Sequence, residues 1–222
     1  MATTAEVRRC TRIRSEQMRG RTVLERDSMS TTRNTRKESM HYLSYYESPL
    51  GAMTMASDGD RLTGLWFDGQ KYDRSTIDGN AELKPHLPVF TQTAQWLDTY
   101  FEGSDPGFTP PISVEGSDFK RMVTSIMLSI PFGATSTYAR IAAEVARRTG
   151  RKHMSAQAVG GAVGRNPIVL IVPCHRVLAS DGSLRGYAGG VDRKEWLLER
   201  EGVTMSGLSA PPDADDGGER RE

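Results

Sequence analysis

The chain has 222 residues, enough for one large domain or two small ones with a true core. Hydrophobic residues make up 37% and charged residues 26%, and no apolar stretch approaches a membrane span; the arginine-rich start has no apolar h-region, so a spanning segment and a secretory leader are both set aside. The net charge of +1 hides a division: residues 41–119 carry 4 basic and 12 acidic groups, residues 120–200 carry 13 and 5. A basic segment on a neutral chain suits a polyanion such as nucleic acid, or is a solvated face balanced by the acidic segment.

Residues 1–40 are polar, rich in Arg, Ser and Thr, and without sustained periodicity, which reads as a flexible extension. Cys10 lies in it. Two cysteines make no disulfide framework, so the chain is expected in a reducing, cytoplasmic compartment. Cysteine and histidine are too sparse for a typical structural zinc site, and no metal is expected.

From residue 41 the texture changes. Residues 41–47, 53–56 and 62–67 are short β runs separated by the turn signals Ser48-Pro49-Leu50-Gly51 and Ser57-Asp58-Gly59, the pattern of an antiparallel meander. Val89, Phe90, Ala94, Leu97, Tyr100 and Phe101 recur at spacings of three and four, predicting a helix over 89–101. A Gly/Pro-rich stretch, 103–111, then closes a small N-terminal α+β domain spanning 41–112.

The domain over 113–205 reads as mainly helical. Residues 119–130 form an apolar-periodic helix stopped by Pro131 and Gly133. A further helix over 137–149 has Ser136 or Thr137 as its cap, Arg147 and Arg148 in its last turn and Gly150 after it. Ser155 caps a fourth, 156–164. Two short helices with a small turn between them make a helix-turn-helix pattern, which many helical domains contain. The fourth helix is nearly bare: Ala156, Ala158, Gly160, Gly161, Ala162 and Gly164. A glycine inside a helix costs about 1 kcal/mol against alanine. Either another element packs closely there, or the backbone approaches a ligand such as a DNA groove. Residues 206–222, with Pro211-Pro212 followed by Asp, Gly and Glu, read as a disordered acidic tail.

The chemistry-bearing feature is Val172-Pro173-Cys174-His175-Arg176, directly after the apolar run Ile168-Val169-Leu170-Ile171. That run reads as a buried strand with Cys174 at its end, next to a base-forming residue. A thiol in such a place is either a buried structural cysteine or a nucleophile. His175 follows Cys174 directly, and neighbours on an extended strand point apart, so a joint role requires the chain to leave the strand at Pro173.

Pro173-Cys174-His175-Arg176, preceded by Asn166-Pro167 and followed by Gly186-Tyr187-Ala188-Gly189-Gly190 and Lys194-Glu195-Trp196-Leu197-Leu198, resembles the O6-alkylguanine-DNA alkyltransferase family over residues 119–202. Ser48-Pro49-Leu50-Gly51 and Leu65-Trp66-Phe67-Asp68-Gly69 extend the resemblance into 41–101. The implied fold is α+β: a small ribonuclease H-like N-terminal domain with an antiparallel sheet, and a winged-helix-like C-terminal domain carrying the helix-turn-helix. The implied activity is DNA repair by direct reversal. Cys174 takes the alkyl group from O6 of a flipped guanine once and irreversibly, with O4-alkylthymine a second candidate substrate.

The resemblance assigns His175 and Glu201 to a relay that activates Cys174; taken alone, Glu201 is an ordinary charge in Glu199-Arg200-Glu201. It places Tyr138 at N3 of the purine and has Asn166 organise the turns; alone, these are a helix-start aromatic and a turn-former before Pro167. Val177 and Ala188 would line the base pocket, with Tyr187 and Gly189 at its flanks. Ser155, Ala156, Gln157, Gly160 and Arg165, with Lys120 and Arg121, would contact DNA, the slim helix entering the minor groove. Gln157 stands where many members carry an arginine that fills the gap left by the flipped nucleotide, so Arg151, Lys152 and Arg165 are candidate supporting cations. No cofactor is implied. The partner would be duplex DNA bearing O6-alkylguanine, bound by a monomer, with cooperativity on DNA open. A cysteine hydrolase and a lesion sensor without chemistry are the competing readings; repeated turnover would mark the first, and binding without transfer the second.

Overall fold

The computed structural model describes residues 40–208. The expected extension over 1–40, with Cys10, lies outside the described residues except for Met40, as does the expected tail beyond Leu208.

Three β runs form a meander: β1 (His41–Ser48), β2 (Gly51–Ser57) and β3 (Leu62–Phe67) pair antiparallel, β1 with β2 and β2 with β3. A fourth strand, β4 (Ala81–Leu83), joins β1 in parallel, giving the order β3-β2-β1-β4. The sheet is therefore mixed, where the sequence pointed to an antiparallel one. Three exposed residues carry no alternation that could have announced that strand. Helix α1 (Pro88–Phe101) turns Val89, Phe90, Trp96, Leu97 and Tyr100 inward, as its spacing required.

The outer edge of β3 is covered by two returning segments. Leu62 bonds with Pro111 and Ser113, and Leu65 accepts from the Val169 amide (3.0 Å) and donates to the Pro167 carbonyl (2.8 Å). Those ladders close an edge that would otherwise offer free backbone groups. They also bring the segment before Cys174 onto the sheet.

The helices follow: α2 (Asp118–Leu128), α3 (Tyr138–Thr149) and α4 (Ala156–Gly164), then α5 (Val191–Arg200). Ser117, Thr137 and Ser155 cap the first three, each accepting from a backbone amide three residues on, and Gly150 ends α3 in the left-handed conformation at φ 65°. Two-residue strands β5 (Ser136–Thr137) and β6 (Val177–Leu178) pair in parallel, joining the start of α3 to the chain just after Cys174. One hydrophobic cluster runs from the sheet through α1 to the helices, Met53 and Phe67 at one end and Val145 and Leu197 at the other.

One expectation fails here. Residues 168–171 are not a strand: Ile168 makes a single bridge to Leu65, and the chain then turns, with Leu170 at φ 68°. Burial on all sides gives an unbroken apolar run whether the backbone is a strand or a turn, so its composition was uninformative about shape. Cys174 accordingly opens a short 3-10 turn, Cys174–Arg176.

Candidate active site

The turn around Cys174 is built by one side chain. The Asn166 amide nitrogen shares its two protons among the Ile168 carbonyl (3.1 Å), the Val172 carbonyl (2.8 Å) and Cys174 Sγ (3.1 Å), while its oxygen accepts from the Ile168 amide (3.1 Å). Asn166 thus holds together backbone groups that no strand or helix satisfies, and touches the thiol as well. Because the chain turns at Cys174, His175 can face the same interior region, which a strand would have prevented.

His175 is fully buried. Its Nε2 lies 2.6 Å from Glu201 Oε1, and its Nδ1 is buried without a partner among the described residues. Glu201 follows α5 as its C-terminal cap, where the helix dipole disfavours an anion. Its carboxylate also accepts from the Tyr100 hydroxyl (2.7 Å), Arg176 Nε (2.8 Å) and Nη2 (3.1 Å), and the Gly133 amide (3.1 Å). Burial alone would raise the Glu201 carboxyl, but these partners outweigh it and hold the group at about 2. Burial pushes the His175 imidazole below its usual range against the pull of Glu201, favouring the neutral ring. An ionised Glu201 takes the Nε2–H, which leaves the Nδ1 lone pair as the basic site.

Burial raises the Cys174 thiol, and the Asn166 hydrogen bond and the Lys194 charge oppose it. Lys194 is itself fully buried, donates to the Val177 carbonyl (2.6 Å), and is brought down to about 8 by desolvation despite the nearby thiolate. Burial therefore favours the protonated thiol, and the Asn166 bond and the Lys194 charge are the groups that ease its ionisation.

Tyr138, at the first turn of α3, donates to the Arg185 carbonyl (3.2 Å) and is raised to about 12 by burial and by the Cys174 charge, so it stays a proton donor. A Cβ on Gly186 would sit 2.5 Å from its hydroxyl, and Gly186 has φ 86°; only glycine fits. Val177 is on β6. Tyr187, Ala188 and Gly189 form the loop before α5, with the Tyr187 ring 6.4 Å from that of His175.

Ser155 caps α4, while Ala156 and Gln157 are exposed in its first turn. Gly160 faces the Tyr138 ring, and Arg165 lies exposed at the end of α4. Lys120 and Arg121 lie at the start of α2, where Arg121 bonds Asp118 and the Gly116 carbonyl. Three contributors had no role assigned from the sequence, although two of them, Arg176 and Lys194, stand in its motif strings. Tyr100 and Arg176 complete the shell of Glu201, and the Lys194 charge acts on the Cys174 thiol. Tyr100 was legible only as an apolar position of α1, and Arg176 and Lys194 only as members of motif strings; nothing in the sequence announced their burial.

Comparison with known proteins agrees with this geometry. Residues 41–114 match the family model for the 6-O-methylguanine DNA methyltransferase ribonuclease-like domain, and residues 118–203 the model for the DNA-binding domain of the same family. Methylated-DNA--protein-cysteine methyltransferases of Mycobacterium tuberculosis and Haemophilus influenzae are 38% and 34% identical to the chain. The first match covers 73% of this chain and 92% of the relative; the second covers 73% and 87%. Mycobacterium tuberculosis OGT, solved in complex with DNA, superposes with TM-score 0.62 at 35% identity, over 77% of this chain and 96% of that one.

Proposed function

The chain belongs to the 6-O-methylguanine DNA methyltransferase family, and from that premise we propose that it repairs duplex DNA by moving an alkyl group from O6 of guanine to Cys174 in one irreversible event. The observation that carries the reading is the two buried pairs Asn166–Cys174 and His175–Glu201, with a histidine Nδ1 that has no partner among the described residues.

The Cys174 thiol loses its proton, through a water, to His175 Nδ1, and Glu201 stabilises the imidazolium that forms. The thiolate attacks the alkyl carbon in line. The carbon–sulfur bond forms as the bond from carbon to O6 breaks, and the electron pair leaves with guanine. Tyr138 donates to N3 of the purine, so guanine does not depart as a bare anion. Val177 and Ala188 supply backbone groups to the base edge, and Tyr187 and Gly189 bound its pocket. The target atom lies inside the duplex, so the base is rotated out. The exposed Gln157, in the first turn of α4, enters the gap. A thioether is not readily hydrolysed, so each molecule acts once. The scheme needs no cofactor, because thiol, base and acid are all side chains.

The test is intact mass against time with an oligonucleotide bearing one O6-methylguanine. One methyl should replace one hydrogen, mapped to Cys174, stoichiometrically and then no further. Cys174→Ser should bind the lesion and gain nothing. Repeated turnover, or binding by the parent protein without a gain in mass, would overturn the reading.

A further inference from the structure

The glycines of α4 are not explained by packing. A Cβ added at Gly160, Gly161 or Gly164 would meet its nearest neighbour at 3.7–3.8 Å, an ordinary contact. No close approach among the described residues demands a bare helix. With Gln157, these positions fall on one face at spacings of three, four and seven. That face borders a cleft of about 290 Å³, whose other walls include Tyr187 and Ala188 of the active-site loop. The Tyr187 hydroxyl is buried and has no partner among the described residues.

The remaining wall comes from the sheet. After β3 the chain makes successive turns over residues 70–76, and there Lys71 and Tyr72 line the cleft. The Lys71 amide donates to the Ala188 carbonyl (3.2 Å), which ties this segment to the active-site loop. Tyr72 has φ 64°, an unusual conformation for a residue with a large side chain, and the residue is 39% exposed. Two cations flank its ring: Lys71 Nζ lies 5.2 Å and the Arg165 guanidinium 5.8 Å from its centroid. Of the three cations named from the sequence, Arg165 borders this cleft, while Arg151 and Lys152 line a separate cavity against α3.

We propose that Lys71, Tyr72 and Arg165 form a clamp on the extrahelical nucleotide, so that the sheet unit as well as the helix-turn-helix binds DNA. This rests on the alkyl-transfer reading of Cys174. A nucleotide leaving the duplex beside Gln157 must cross the bare face of α4 to reach the active-site loop. The cleft offers what its sugar and phosphate need: two cations for the phosphates, an aromatic face for stacking, and no side chains on the facing helix turn. The charge that Gln157 does not bring is then supplied from the opposite wall.

The experiment compares Cys174 methylation rates on two substrates, a duplex with one O6-methylguanine and the free O6-methylguanine base, which has neither sugar nor phosphate. The readout is the ratio of the duplex rate to the free-base rate. Lys71→Gln/Arg165→Gln should lower it about tenfold and reduce the log–log salt slope of duplex binding by about two. Tyr72→Gly, which keeps the positive φ without strain, should lower the ratio about tenfold, whereas Tyr72→Phe should retain it. Neutral methylphosphonates at the two phosphates flanking the lesion should erase the difference between the parent and the double variant. An unmoved ratio, whether both rates fall or neither does, overturns the clamp. A parent protein that gains no methyl from either substrate refutes the transfer reading instead.

Discussion

Glu201→Gln removes one charge and keeps the shape, at a carboxylate that accepts from His175, Tyr100, Arg176 twice and the Gly133 amide. An amide offers one oxygen to those donors and turns two of its own protons toward the rest. Arg176 keeps its bond to the Ile130 carbonyl (2.7 Å) but loses its counter-charge at 8% exposure. Removing one member of a buried ion pair costs about 3–5 kcal/mol. The carboxyl's displacement from 4.5 to about 2 corresponds to roughly 3 kcal/mol, which agrees. At about 2–4 °C per kcal/mol for a chain of this size, the melting temperature should fall by about 6–20 °C. The pH dependence follows from the sign. A carboxyl depressed in the folded state stabilises it fully above 4.5, and that contribution is lost as pH falls toward about 2. The variant's deficit, measured by denaturant unfolding, should therefore narrow across that window. Single-turnover methylation should slow by about 10²–10⁴, since the imidazolium loses its partner. A melting point within about 2 °C of the parent, or a deficit independent of pH from 5 to 3, would refute the reasoning.

Three further outcomes are expected. Asn166→Ala should cost about 2 kcal/mol, because it strips partners from the Ile168 and Val172 carbonyls, and should raise the thiolate titration midpoint of Cys174 followed by ultraviolet absorbance. Lys194→Met removes a lysine lowered from 10.5 to about 8; the parent should gain stability relative to the variant as pH rises from 8 to 10.5, because the unfolded lysine binds the proton that the folded one has lost. Denaturant unfolding at pH 7, 8.5 and 10 checks the sign. Gln157→Ala should slow methylation by duplex DNA more than by the free base, and equal rates on the duplex would remove it from the flipping step.

The candidate site was only partly legible, for reasons that differ by residue. Cys174 and His175 are adjacent, so a short string carried them. Asn166 and Tyr138 were placed by family register, and their partners became visible only when the turn folded back on itself. Glu201 looked like a surface charge in a charged helix end, yet it is the most heavily bonded acid described. Lys120 and Arg121, named with the DNA contacts through the family resemblance, stand at the start of α2, where Arg121 is engaged locally.

What the sequence determined by itself were the features set by local physics: the three-strand meander, the spans of α1 to α4, and the caps Ser155 and Gly150, while the choice of Thr137 over Ser136 came from the structure. Periodicity and capping act over a few residues, so a short window contains their cause. The tertiary structure decided what depends on distant partners. β4 is a strand because β1 accepts it. Residues 168–171 turn rather than extend, with Asn166 taking the Ile168 carbonyl and amide and Leu65 the Val169 amide. Tyr100 and Glu201, 101 positions apart, meet because α1 and the end of α5 pack on one core, and desolvation there decides which groups are charged.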